Sequence, residues 1–236
     1  MFINLFISII MKFEYRSVSY MYDVLPIVDT LSVIFPEYGL TVVTGANGAG
    51  KTTLFDLLIG DKLPSQGTVY INGQSTKVMK VSQKRELRRK LGIVHQYTTF
   101  SHHYTVEENI MVPLFVCGMK ESDSRKRIMD ILSEYELSHL RSKFPDQVSH
   151  RELKLLSCIQ ATIFEPDFLV ADEPCEGFDN HSFDLFIKMI KPYMTENKGV
   201  IIFTQDNNRF DGHADTVFEL SEGSLSKTLH SKKKGE

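Results

Sequence analysis

The chain has 236 residues, 42% of them hydrophobic and 24% charged, a globular composition long enough for one large domain or a domain with an inserted subdomain. Its 27 basic and 30 acidic side chains leave a formal net charge of −3, which argues against bulk binding to nucleic acid. Three cysteines, Cys117, Cys158 and Cys175, have no metal-type spacing and read as reduced thiols in a cytosolic protein.

The opening stretch, MFINLFISIIMK, is apolar but shorter than the ~20 residues that a bilayer-spanning helix needs. No basic residue precedes the apolar run and no small-residue cleavage site follows it, so it makes a poor signal peptide. Residues 1–12 are therefore read as an apolar extension whose first ten residues come from an upstream start codon ahead of Met11, with a weak membrane-surface anchor as the alternative. Residues 13–35 alternate as strands do, and LTVVT, residues 40–44, is a β-branched run of the kind found in buried strands. A glycine-rich turn follows, then a helix over 52–58 that Gly60 is placed to end. Residues 68–72 form a short strand closed by Asn72-Gly73. SQKRELRRK, residues 82–90, is a basic helical segment, best read as a solvated face. Residues 91–94 return to strand character. A helical stretch then runs from 105 to 161, interrupted by Pro113 and Pro145. Residues 167–171 are a strand, 180–194 a helix, and 199–204 and 216–220 strands. Residues 228–236 form a solvated basic tail. The alternation predicts an α/β core over 13–96 and 162–227 with a largely parallel sheet, and a helical insert over 97–161.

GANGAGKT, from Gly45 through Ala46, Asn47, Gly48, Ala49, Gly50 and Lys51 to Thr52, matches G-x-x-x-x-G-K-[ST] between a strand and a helix. Glycines let successive N–H groups curl toward phosphate oxygens, and the helix N-terminus adds partial positive charge. Lys51 is suited to the β- and γ-phosphates, and Thr52 offers a hydroxyl to Mg²⁺, with Thr53 beside it. A chance match arises in about one such chain in a hundred at average residue usage. DFLVADEP, residues 167–174, ends a strand in Asp172-Glu173. The first carboxylate can hold Mg²⁺ through water and the second can position or deprotonate an attacking water.

With both elements present, the chain resembles the nucleotide-binding subunits of ABC transporters over residues 13–225. The resemblance implies a P-loop NTPase fold of the α/β class: a RecA-like core with a parallel sheet, an N-terminal antiparallel β-subdomain and an inserted α-helical subdomain. It implies an ATPase that uses ATP and Mg²⁺, with no nucleic-acid partner. It implies adenine stacking by Tyr22, with Tyr20 the fallback and a plain strand aromatic the competing reading. Gln96 matches the glutamine that touches Mg²⁺ and the attacking water, and Glu173 the catalytic base. Asp179 matches the aspartate of the loop that links two ATP sites. Such subunits pack head to tail as homo- or heterodimers on integral membrane subunits, at the inner face of the cell membrane. TVEENIMVPL and LVADEPCEGFD look most like the branch of lipoprotein-releasing, macrolide-efflux and cell-division systems.

Two departures stand out. Where the family has Leu-Ser-Gly-Gly-Gln, this chain has Val148, Ser149, His150, Arg151 and Glu152. Ser149 remains both a helix cap and the expected contact to ATP on the opposite subunit, and Arg151 is a candidate phosphate contact there. Where the family has a histidine on the γ-phosphate, this chain has Gln205, which donates but carries no charge. Both changes predict slowed hydrolysis, with a low-turnover ATP-dependent switch as the alternative. The repair and translation branches carry a long coiled-coil insert or two such domains, and this chain has neither. His102 and His103 read as a surface loop rather than a metal site, and the loop over 206–211 as merely polar.

Overall fold

In a computed structural model, residues 11–23, 25–195, 197–206 and 208–228 are described. The apolar residues 1–10 and the basic tail beyond Thr228 lie outside them. Of the proposed extension, Met11 is within the described residues. It is buried in a hydrophobic core, and its neighbour Lys12 exchanges backbone and side-chain hydrogen bonds with Asn72.

The strand-like N-terminal stretch folds as two strands, β1 (Phe13–Tyr22) and β2 (Leu25–Ile34). They join β4 (Gln66–Ile71) and β5 (Gln74–Ser75) in an antiparallel sheet of order β2-β1-β4-β5. The second sheet is built from β3 (Gly39–Thr44), β6 (Leu91–Val94), β7 (Phe168–Asp172), β8 (Gly199–Thr204), β9 (Thr216–Ser221) and β10 (Ser224–Thr228). Its order is β10-β9-β3-β8-β7-β6. The five strands β9, β3, β8, β7 and β6 run parallel, and β10 pairs antiparallel at one edge. The strand β10 was not anticipated from its composition, because Ser224, Ser226 and Lys227 show no apolar alternation.

The central strands are buried on both faces, which is why they read as unbroken apolar runs. Side chains still alternate between faces. In β8, Val200 and Ile202 enter one core while Ile201 and Phe203 enter the other. The first core is shared with the helical layer: α3 (Val106–Val116), α4 (Glu121–Glu134), α5 (His150–Thr162) and α6 (Asn180–Ile190). The second lies between the parallel sheet, α1 (Lys51–Leu58) and the antiparallel sheet. The basic segment forms α2 (Val81–Arg88), which buries no residue, as a solvated face should.

Two proline readings are revised. Pro113 does not interrupt the helical stretch but lies inside α3. A proline there removes the N–H that would bond the carbonyl of Asn109. Gln160 Nε2 of α5 donates to that carbonyl instead, at 2.8 Å, so α3 keeps its course. Pro145 opens a single 3-10 turn rather than breaking a helix. The helix expected to reach Met194 stops at Ile190 and tightens into a 3-10 turn over Lys191–Tyr193, where Pro192 sits.

Candidate nucleotide-binding site

The turn after β3 takes its shape from glycine. Gly48 and Gly50 have φ of 78° and 101°, a region that L side chains rarely adopt. At Gly50 a Cβ would also lie 2.7 Å from Ile27 Cγ2, so this position needs glycine twice over. The turn delivers Lys51 to the start of α1, where its side chain is 7% exposed. Lys51 Nζ donates to the carbonyls of Gly45 at 2.8 Å and Ala46 at 3.1 Å. It also lies 3.6 Å from Glu173 Oε1.

Glu173 follows directly after β7. Its φ of 45° is a strained value for a residue with a side chain, and such strain is stored where surrounding contacts overrule it. Two contacts do so here: Glu173 N donates to Phe203 O at 2.8 Å, and Thr204 Oγ1 donates to Glu173 Oε2 at 3.0 Å. Thr204 escaped the sequence reading, since its only signal is a hydroxyl at the end of an apolar strand.

Asp172 is 1% exposed, and among the described residues neither carboxylate oxygen has a well-formed hydrogen bond. Burial pushes its pKa up to about 6, while the neighbouring Thr52 hydroxyl and Lys51 pull it down and the Glu173 charge adds to the rise. A buried carboxylate with unmet oxygens beside a threonine hydroxyl is a donor set for a hard cation.

A cleft of about 310 Å³ is lined by Tyr22, Ile27, Asn47, Gly48, Gly50, Lys51, Thr52, Thr53, Gln96 and Glu173. One cleft therefore gathers most of the residues expected to hold nucleotide, together with Gln96. Tyr22 is 46% exposed there, and its hydroxyl accepts from Lys62 Nζ at 2.5 Å. That hydrogen bond lowers the Tyr22 pKa. Ala46 and Ala49 line an adjoining recess with Asn47 and Gly48.

The cleft does not include Gln205, Ser149, Arg151 or Asp179. Gln205 is exposed just past β8. Ser149 caps α5: its Oγ accepts from Glu152 N at 3.3 Å, and Ser149 N donates to Glu152 Oε2 at 3.0 Å. Arg151 pairs with Asp179, which itself caps α6 by accepting from Ser182 N at 2.8 Å. The loop read as merely polar has a structural task, since Arg209 donates to the carbonyls of Phe178 and Asp179. His102 pairs with Asp146 at 2.6 Å, both exposed. No cluster of three or more potential His, Cys, Asp or Glu metal ligands occurs among the described residues.

A parallel sheet with a glycine turn leading into α1, and two carboxylates at the end of β7, defines a P-loop nucleotide-binding protein. A family model described as ABC transporter matches residues 28–176, and the chain belongs to that family, whose cassettes are ATP-hydrolysing. The cell division ATP-binding protein FtsE of Haemophilus influenzae is 30% identical over 218 residues, covering 91% of this chain and 98% of FtsE. The lipoprotein-releasing system ATP-binding protein LolD of Xanthomonas campestris is 28% identical over 202 residues, covering 85% of this chain and 84% of LolD. These are two of the branches expected from the motifs. The fold matches the dimeric ATP-binding cassette MJ0796 bound to ADP and Pi with a TM-score of 0.83. That match has 22% identity and covers 93% of this chain and all of that one.

Proposed function

We propose that this chain hydrolyses ATP in a dimer of nucleotide-binding subunits and so drives a separate integral membrane subunit. The observation that carries the reading is the meeting of Lys51 and Glu173, 3.6 Å apart, in the cleft that Gln96 also lines. Lys51 and the N–H groups of the glycine turn bind the phosphates. Glu173, held by Thr204, takes the proton of the attacking water, and Gln96 orients that water. Tyr22 stacks on adenine. Phosphoryl transfer needs mainly such positioning and charge stabilisation.

Thr52, Asp172 and Gln96 would hold Mg²⁺. The unmet oxygens of Asp172 fit that ion, which takes one or two carboxylates and completes its shell with water and substrate phosphate. When bound, the ion neutralises charge on the phosphate oxygens.

Relatives named for cell division and for a lipoprotein-releasing system support work at the inner face of a membrane through a partner. Among the described residues no helix is long and apolar enough to cross a membrane. The dimeric cassette MJ0796 supports a head-to-tail dimer, with Ser149, Arg151 and Asp179 facing the ATP of the opposite subunit.

Phosphate release by the purified chain, alone and with its membrane subunit, tests the reading. Glu173→Gln should lower turnover by about 10²–10⁴-fold while leaving ATP bound. Tight ATP binding with no turnover in either setting would replace it with the switch reading. The Arg151–Asp179 pair and the neutral Gln205 favour that second reading.

A further inference from the structure

Lys154 lies on α5 and is 2% exposed. Its ammonium donates to the main-chain carbonyl of Gln96, with the His95 carbonyl 3.5 Å away. No ion pair to it occurs among the described residues, although Glu176, Asp172 and Glu173 are close enough for their charge to act on it. One turn along α5, Ser157 Oγ donates to Thr98 Oγ1 at 3.1 Å. Two side chains of one helix thus hold the segment that leaves β6 and carries Gln96 into the cleft.

A buried ammonium without a carboxylate partner is a liability for stability, and a side chain of similar shape such as methionine would fill the space without charge. The neighbours of Lys154 along α5, Leu155, Leu156 and Ile159, are buried and apolar, so packing alone does not call for a cation. What the ammonium adds is direction. It grips the carbonyl of the one residue on this segment that lines the nucleotide cleft.

We propose that Lys154 is a positioning residue that fixes Gln96 against α5 and makes the placing of the attacking water depend on that helix. The α5 helix is capped by Ser149, which does not line the cleft, so Lys154 is a mechanical link between that end of the helix and the reacting end of the nucleotide. The inference rests on the role of Gln96 proposed above.

The test uses the full chain and three variants: Lys154→Met, Lys154→Gln and Gln96→Ala. Lys154→Met should raise amide hydrogen exchange of residues 95–98 by at least about tenfold, with exchange of β3 and α1 unchanged. Its kcat should fall by about tenfold while equilibrium ATP affinity stays within about twofold. Lys154→Gln, which still donates to a carbonyl, should recover part of both effects. Added to Gln96→Ala, Lys154→Met should lower kcat no further, because the lysine acts through the glutamine.

Unchanged exchange at 95–98 in Lys154→Met overturns the inference, whether or not turnover is measurable. So does a loss of kcat that adds in full to that of Gln96→Ala, or a loss of ATP affinity and melting temperature together with kcat. If Lys154→Met does not fold, Lys154→Gln carries the same exchange comparison. Gln96→Ala with undiminished kcat instead removes the role proposed for Gln96, so the two failures are told apart.

Discussion

Arg151 and Asp179 form an ion pair that joins the first turn of α5 to the capping residue of α6. Both are about half exposed, at 48% and 51%. An exposed pair adds little to stability. Its consequence is geometric: the guanidinium is turned toward its own chain, on the surface where the family's glycines leave open backbone. Asp179 is doubly engaged, since its other oxygen caps α6.

Replacing His150 and Arg151 together by glycine should free Asp179 and let the backbone after Ser149 approach a second subunit. ATP binding by the Lys51 loop should not change. ATP-dependent dimerisation should tighten by about tenfold, roughly what one added hydrogen bond supplies. Sedimentation equilibrium of the full chain with ATP measures it, and equal association constants for the two proteins would refute the idea that Arg151 restrains closure.

The glycine turn, the two carboxylates and the order of β and α segments were legible in the sequence because each has a local cause: backbone freedom, strand periodicity, helix caps. Even the helix cap at Ser149 was readable, and it forms. What was not legible depends on partners far apart in the chain. Thr204 becomes significant only because β8 lies beside β7, and Lys154 only because α5 packs under the segment after β6. Pro113 misled for the same reason: the side chain that rescues its turn comes from position 160.

Asp172 sets a pH dependence on stability in nucleotide-free protein. Its folded-state pKa of about 6 lies above the ordinary 3.8, so the fold favours the neutral acid. That contribution is complete below about pH 3.8 and is lost as pH rises through about 6. Asp172→Asn keeps the shape and removes the buried charge. Above pH 6 and without Mg²⁺, the variant should be more stable by up to about 2–3 kcal/mol, a rise of several degrees in melting temperature. At pH 4 the two proteins should melt together. Turnover of the variant should fall by at least about 100-fold. A variant that melts lower than wild type at pH 8 would show that the carboxylate is not the strained group it is taken to be.

Gln160→Ala should leave the Asn109 carbonyl without its donor in the middle of α3. The expected loss is about 1–2 kcal/mol, read as a lower urea midpoint with an unchanged slope. Because Gln160 does not line the cleft, kcat per folded molecule should stay the same. Restoring a main-chain donor by Pro113→Ala in the same protein should recover most of the lost stability, and no recovery would mean that Gln160 does not stand in for the missing N–H.

Gln205 immediately follows Thr204, whose hydroxyl holds Glu173, so a side chain here is next in the chain to the residue that holds the carboxylate proposed to take the water's proton. An amide can donate one hydrogen bond to a phosphate oxygen but brings no charge, and a charge-assisted bond is roughly twice as strong. Gln205→His should therefore raise turnover by about tenfold where the imidazole is protonated. The gain should fade as pH rises through about 6.5, the ordinary histidine value, while wild type lacks that titration. Measuring kcat from pH 5.5 to 8.5 for both proteins gives the ratio directly, and the ratio cancels the shared effect of Asp172. A ratio that stays within twofold of one across the range would mean that position 205 does not reach the phosphate, and that the slow step lies with the altered residues after Ser149 instead.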